Sequence, residues 1–216
     1  MSSIQPDGYL ALPASGKGSP VLVLHAWWGL NDTIKALCKR LAESGFVAFA
    51  PDLYQGKVTD TIDGAKTLSG ALSKNPDHAT GVLENAITFL REQGESTGIT
   101  VIGFSLGAYY ALELSNTHPE AIRSVVIFYG TGPTDFSQSQ ADYLGHFAAA
   151  DEFEPQESVD ELEEALKGAG RPVTFYRYDD TGHWFFEPDR VDAYDSAAAS
   201  LAWDRTLAFL KRAASE

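Results

Sequence analysis

Short, continuously apolar runs alternate along this chain with segments in which apolar residues recur at helical spacing. The runs are VLVLH at 21–25, FVAFA at 46–50, ITVIG at 99–103, SVVIFYG at 124–130, YLGHFA at 143–148 and PVTFYRY at 172–178, after a first apolar stretch from Tyr9 to Leu12. Such runs are typical of strands that helices cover on both faces. Because strands alternating with helices need crossover connections, the pattern predicts an α/β fold with a mostly parallel sheet.

The intervening segments carry the start and stop signals of helices. From Asn31 to Gly45 the apolar residues follow helical spacing, Asn31 or Asp32 can cap the first turn, and Gly45 can end the helix. Residues 60–93 predict two helices separated near Pro76, because proline is tolerated in a first helical turn but not in a helix interior. Further helices are predicted at 106–114, 159–168 and 196–212. With no internal repeat and no linker, the sequence predicts one domain, 1–216.

Charge and composition exclude several classes of partner. Acidic residues outnumber basic ones 30 to 16, and the net charge of −14 should repel nucleic acids and anionic membrane surfaces. No apolar run reaches the roughly 18 residues of a membrane span, and the N-terminal residues lack the pattern of a signal peptide, so we expect a cytoplasmic protein. Cys38 is the only cysteine, which excludes an intrachain disulfide and a cysteine-rich zinc site.

The stretch GFSLG at 103–107 places one serine between two glycines, directly after a predicted strand and before a predicted helix. This is the setting of a nucleophile elbow, a tight turn that exposes a serine hydroxyl above the sheet. Side chains at Gly103 and Gly107 would obstruct such a turn. Ser105 is therefore the candidate nucleophile, and the backbone N–H of Leu106 is a candidate donor to an oxyanion.

A serine hydroxyl needs a base and an orienting carboxylate to become a nucleophile. Asp151 follows the predicted strand 143–148, and His183 follows the predicted strand 172–178 in a glycine-containing loop. The order serine, aspartate, histidine is that of α/β-hydrolases. Asp179 and Asp180 are alternative acids, but residues so near His183 in sequence rarely reach its Nδ1 atom and are better suited to capping the loop.

The remaining histidines show no spacing typical of a metal site, and the proposed chemistry needs no cofactor. His25 ends the predicted strand 21–25 and is expected to shape the following loop. His146 is expected to be a strand residue whose imidazole is hydrogen-bonded.

That following loop, HAWWG, is where such folds place a second oxyanion donor, for which the Trp27 backbone N–H is the candidate. Candidates for lining a substrate pocket are Trp28, Tyr54, Trp184 and Phe185, although the two tryptophans of the loop could equally be core residues.

The stretches AWWGLND, FVAFAPDLYQG, VIGFSLGA, YLGHFAAADEFEP, TGHWFF and SAAASLAWDRTLAFL, at these spacings, make the chain resemble the dienelactone hydrolase family over nearly its whole length. The resemblance implies an α/β-hydrolase fold of about seven strands and a triad of Ser105, Asp151 and His183. It also has departures. The family's namesakes carry a cysteine at the position of Ser105, a glutamate at Ala26, and a carboxylate-binding arginine at Glu187.

These departures argue against an anionic dienelactone as substrate, because its carboxylate would lack binding cations. The sequence predicts a serine hydrolase that cleaves a small neutral ester, thioester or lactone through an acyl-enzyme. Two alternatives stay open: an amidase or peptidase with the same triad, and a non-catalytic binding protein that keeps the fold. The sequence indicates no particular oligomeric state.

Overall fold

The computed structural model describes residues 4–96 and 98–215. Its strands are β1 (Gly8–Ala11), β2 (Pro20–Leu24), β3 (Val47–Pro51), β4 (Ile99–Phe104), β5 (Ile122–Phe128), β6 (Asp142–Ala148) and β7 (Val173–Tyr178). Its helices are α1 (Asp32–Glu43), α2 (Ile62–Ser73), α3 (Pro76–Gln93), α4 (Leu106–Thr117), α5 (Gln156–Gly168) and α6 (Ser196–Ala213). The predicted alternation of strands and helices is confirmed.

The strands belong to a seven-stranded sheet with the order β1-β3-β2-β4-β5-β6-β7. β1 pairs antiparallel with β3, whereas the pairs β2/β3, β5/β6 and β6/β7 are parallel. The prediction of a mostly parallel sheet of about seven strands is therefore confirmed. The chain divides into two compact units, one ending at Ile99 and the other beginning at Thr100. The single domain 1–216 stays a prediction.

In the N-terminal unit, α1 forms as its sequence predicts. The Asn31 side chain accepts a hydrogen bond from the Ile34 backbone N–H at 3.1 Å, which satisfies one of the free N–H groups of the first turn. The apolar face of the helix is buried, including the fully buried Cys38. Burial raises the pKa of the Cys38 thiol to about 12, so it stays protonated and unreactive at neutral pH. Pro76 occupies the first turn of α3. The backbone N–H that proline lacks would have no partner within the helix at this position.

In the C-terminal unit, β5, β6 and β7 form a parallel ladder in which Phe128 lies beside His146 and His146 lies beside Tyr176. His146 is fully buried, and both ring nitrogens are hydrogen-bonded, Nδ1 to the Tyr178 hydroxyl at 2.8 Å and Nε2 to the Thr206 hydroxyl at 3.0 Å. Its expected structural role is confirmed, because the imidazole ties β6 to β7 and α6.

The fifth strand differs from its predicted bounds of 124–130. β5 ends at Phe128, because Tyr129 takes a left-handed backbone conformation with φ of 37°. Few residues other than glycine adopt this region without strain, which marks the corner after β5 as a place to look for function.

Candidate active site

Ser105 lies at the tight turn between β4 and α4. Its backbone has φ of 49° and ψ of −110°, a strained conformation that its N–H stabilises by donating to the Phe128 carbonyl oxygen at 3.0 Å. Two glycines are needed for space: a Cβ at Gly103 would collide with the Gly107 backbone, and a Cβ at Gly130, after β5, would lie 2.6 Å from the Ser105 carbonyl oxygen. The turn therefore has the crowded geometry expected of a nucleophile elbow.

His183 connects the serine to an aspartate. Its Nε2 atom lies 3.0 Å from Ser105 Oγ, and its Nδ1 atom lies 2.7 Å from Asp151 Oδ2. The side chains of His183 and Asp151 are only 4% and 2% exposed. Since a carboxylate can only accept here, Nδ1 carries a hydrogen and Nε2 is free to accept the serine proton.

The Asp151 carboxylate is held by its own loop. Its Oδ1 atom accepts hydrogen bonds from the backbone N–H groups of Phe153 at 2.8 Å and Glu154 at 3.0 Å, which leaves Oδ2 for the histidine. The alternative acids Asp179 and Asp180 are both exposed, and Asp180 sits in the turn after β7 with φ of 57°. The carboxylate on His183 is therefore that of Asp151.

Three aromatic rings surround the His183 imidazole. The ring centroids of Tyr129 and Phe153 each lie 5.0 Å from it, and the Trp184 ring meets it edge to face at 4.9 Å. Phe153 also contacts Trp184 at 4.9 Å and is 43% exposed, so it forms an outer wall of this cluster. Aromatic packing of this kind fixes the plane of an imidazole and lowers the local dielectric.

A buried acid lies behind the histidine. Glu187 is 1% exposed, and its Oε1 atom accepts a hydrogen bond from the Tyr129 hydroxyl at 2.8 Å. Its Oε2 atom is buried and has no hydrogen-bond partner. Burial raises the pKa of this carboxyl to about 8, which the Tyr129 hydrogen bond only partly offsets, so Glu187 is mostly neutral at pH 7.

The two candidate oxyanion donors lie in different units. Leu106 is the first residue of α4, where backbone N–H groups have no partner within the helix and the helix dipole is positive. Trp27 lies in the turn after β2 of the N-terminal unit and is half-buried. The pairing of these two amides stays a prediction.

The pocket candidates differ in burial. In the N-terminal unit Trp28 is 2% exposed, and Tyr54 packs 4.9 Å from the His25 ring and lines a cavity of about 220 Å³. In the C-terminal unit Trp184 is half-buried beside His183, whereas Phe185 has no exposed surface and packs against Tyr129. Their roles as pocket residues stay predictions.

His25 shapes its loop, as expected. Its Nδ1 atom lies 2.7 Å from the Ala26 carbonyl oxygen, and its Nε2 atom accepts from the Leu53 N–H at 3.3 Å. Burial lowers the pKa of His25, so its ring stays neutral.

Among residues 4–96 and 98–215, no group of three or more histidine, cysteine, aspartate or glutamate side chains could hold a metal ion. No helix in those ranges has both the length and the apolarity needed to cross a membrane.

The model of the dienelactone hydrolase family matches residues 7–214. The chain belongs to this family. It is 32% identical to "Protein usf" of Aquifex pyrophilus, with 97% of this chain and 94% of that protein covered. It is 30% identical, at the same coverage, to a protein of Aquifex aeolicus named "Putative carboxymethylenebutenolidase".

Solved structures confirm the fold of this dienelactone hydrolase family member. A dienelactone hydrolase-like promiscuous phosphotriesterase from metagenomic libraries superimposes with a TM-score of 0.80 at 22% identity, covering 94% of this chain and 87% of that one. The predicted α/β-hydrolase fold is thereby confirmed, and the family is one of hydrolases.

Three residues beside the triad were not predicted as site residues: Tyr129, Phe153 and Glu187. Each carried a signal in the sequence. Tyr129 comes at the carboxyl end of a strand, Phe153 lies two residues after Asp151, and Glu187 lies four residues after His183. Sequence position shows that they are near the site, but the contacts depend on side-chain packing.

Proposed function

We propose that this member of the dienelactone hydrolase family is a serine hydrolase that cleaves small neutral esters, thioesters or lactones. The observation that carries the proposal is the continuous hydrogen-bond chain from Ser105 Oγ through His183 to Asp151, with heavy-atom distances of 3.0 and 2.7 Å. These distances are within the range for proton transfer and for orienting an imidazole.

The reaction would proceed by acyl transfer to water. His183 Nε2 takes the proton of Ser105 as Oγ attacks the carbonyl carbon, and the Leu106 and Trp27 amides stabilise the oxyanion of the tetrahedral intermediate. The protonated imidazole, stabilised by Asp151, then gives its proton to the leaving oxygen or sulfur. A water molecule activated by the same nitrogen hydrolyses the acyl-enzyme and regenerates the serine.

The preference for neutral substrates follows from charge. The chain carries a net charge of −14, and Glu187 stands where the resemblance implies a carboxylate-binding arginine. A buried carboxyl cannot form the bidentate ion pair that an arginine offers to an anionic substrate. The Aquifex aeolicus relative is named "Putative carboxymethylenebutenolidase", and a butenolide is a lactone, so neutral lactones belong among the substrates to be tested.

The test compares wild type with Ser105→Ala on p-nitrophenyl esters of increasing acyl length and on neutral lactones. Wild type should hydrolyse at least one of them, and Ser105→Ala should lower kcat by on the order of 10⁶-fold. A fluorophosphonate probe should transfer its phosphonyl group to Ser105 Oγ, as the P–F bond breaks and fluoride and the serine proton leave. Mass spectrometry of the intact protein and its peptides detects the product. Absence of both hydrolysis and labelling would favour a non-catalytic binding protein, and cleavage of anilides as fast as esters would favour an amidase.

A further inference from the structure

Tyr129 occupies a strained corner beside the catalytic turn. Its φ of 37° breaks the extended backbone at the end of β5, although its N–H still donates to the His146 carbonyl oxygen at 2.8 Å. The next residue, Gly130, packs against the Ser105 backbone so closely that it has no room for a side chain. A strained residue that persists at a site is held there by its surroundings and is a candidate for function.

The side chain of Tyr129 bridges the histidine and the buried acid. Its ring lies 5.0 Å from the His183 ring, and its hydroxyl donates to Glu187 Oε1 at 2.8 Å. Burial and the neighbouring Glu187 carboxyl raise the pKa of Tyr129 well above its ordinary value, so the hydroxyl is a donor at neutral and mildly alkaline pH. The Glu187 carboxyl therefore holds the hydroxyl end of the ring that lies against His183, while neighbouring phenylalanines pack on the ring itself.

Burying the Glu187 carboxyl has a desolvation cost that an apolar side chain at this position would avoid. Packing against Tyr129 alone would not require a carboxyl. The charged and titratable groups that act on Glu187 are the Tyr129 hydroxyl, Asp189 and Arg190, and Asp189 pairs with Arg190 at 3.0 Å. Asp151 also acts on Tyr129. No cation pairs with Glu187 at salt-bridge distance among the described residues. Ionised Glu187 would thus be a buried anion with one oxygen that has no hydrogen-bond partner.

We propose that Tyr129 and Glu187 are positioning residues for the catalytic base: protonated Glu187 holds the Tyr129 hydroxyl, and the Tyr129 ring holds the His183 imidazole in line with Ser105. This proposal rests on the proposed serine hydrolase function. When Glu187 ionises at alkaline pH, the uncompensated charge favours rearrangement of this packing. The base then loses its alignment although the triad residues are unchanged.

The test is the pH dependence of phosphonylation of Ser105 and of ester hydrolysis, in the full chain. In wild type both rates should rise on the acid side and fall again with a midpoint near the pKa of about 8 given to Glu187 by burial. Glu187→Gln keeps an oxygen acceptor for Tyr129 but cannot ionise. We expect it to retain at least about one third of the wild-type kcat at pH 7 and to lose the alkaline fall. An alkaline fall unchanged in Glu187→Gln, or absent from wild type, would overturn the proposal.

A second variant makes the test independent of the folding of the first. Tyr129→Phe removes the hydrogen bond that favours ionised Glu187, so the alkaline midpoint should move upward and kcat should fall about tenfold with little change in KM. Tyr143→Phe is the matched control, because Tyr143 is also a buried tyrosine of this unit, hydrogen-bonded to Ser115 at 2.7 Å and Ser139 at 2.6 Å. It should lower Tm without moving the pH profile.

The labelling experiment separates the two proposals. If Ser105 of wild type takes up no phosphonyl group at any pH, the serine hydrolase function fails and the positioning role fails with it. If Ser105 is labelled and the midpoint is the same in wild type and Tyr129→Phe, the positioning role alone is wrong.

Discussion

Two buried histidines of the C-terminal unit have both ring nitrogens hydrogen-bonded, yet their surroundings differ in kind. His146 lies between two neutral hydroxyl groups, those of Tyr178 and Thr206, whereas His183 lies between the Asp151 carboxylate and the Ser105 hydroxyl. Burial and the charge of Arg205 lower the pKa of His146 to about 3, so it stays neutral in the native protein.

The comparison identifies what the proposed base His183 has and His146 lacks. Both rings are buried and have two hydrogen-bonded nitrogens. In His146 these hydrogen bonds only link β6 to β7 and α6. A carboxylate on Nδ1 stabilises the imidazolium that forms when Nε2 takes a proton, and only His183 has one.

Replacing each histidine should have opposite consequences. We expect His183→Ala to lower kcat/KM for an activated ester by about 10⁵- to 10⁶-fold with little change in Tm, because the serine loses its base. His146→Gln, the matched variant, should retain catalysis within a factor of about three and lower Tm instead. Steady-state kinetics and thermal unfolding of both variants check this. A loss below about 100-fold in His183→Ala would contradict the assignment of the base.

Removing the charge of the carboxylate that is hydrogen-bonded to His183 Nδ1 should also lower kcat strongly. Asp151→Asn keeps an oxygen for the N–H groups of Phe153 and Glu154 but removes the charge, and we expect kcat to fall by about 10⁴-fold. Thr206→Val removes a hydroxyl from His146 and should leave kcat nearly unchanged. Equal activities of Asp151→Asn and wild type would show that another group orients His183.

The neutral state of buried His146 should also affect how the free energy of unfolding depends on pH. The folded pKa of His146 lies below its unfolded value, so the unfolded state takes up the proton first and stability is lost as pH falls below about 6.5. Between pH 7 and pH 5 this histidine should lower the free energy of unfolding by about 2 kcal/mol. Urea unfolding of wild type and His146→Gln at both pH values measures the difference, and equal losses in the two proteins would contradict it.

Phe153, the outer wall of the aromatic cluster around His183, should make the smallest contribution to kcat/KM. Phe153 is half-exposed and packs on His183 from the solvent side, so Phe153→Ala should lower kcat/KM by about fivefold through looser positioning of the ring. Tyr194→Ala, another half-exposed aromatic residue of the same unit, is the control and should have no effect. Kinetics on short and long acyl esters would show whether Phe153 also contacts the substrate.

The sequence predicted the alternation of strands and helices, which the structure confirms, and the same general rules led to the prediction of the triad. Parallel strands bring their carboxyl ends to one edge of a sheet, so residues that follow β4, β6 and β7 could be expected to meet there. This reasoning needed only the order of strands and the chemistry of Ser105, Asp151 and His183, and the hydrogen bonds that join these side chains support the proposed triad.

The Tyr129–Glu187 contact could not be predicted in the same way. The apolar run 124–130 gave no sign that the backbone turns at Tyr129 or that Gly130 packs directly on the Ser105 backbone, because both features arise where separate segments meet. Glu187 follows Tyr129 by 58 residues, and nothing in its local sequence indicates burial. The boundary of β5 and the protonation of Glu187 are consequences of tertiary packing.

The buried, protonated Cys38 has a practical consequence for chemical labelling. Since it is the only native thiol and is inaccessible, any cysteine introduced elsewhere would be the single thiol that modifies rapidly with an alkylating reagent. Ser105→Cys would therefore place a reporter in the turn between β4 and α4. Its thiolate absorbance and its alkylation rate at each pH would measure the electrostatic potential near His183 without a substrate.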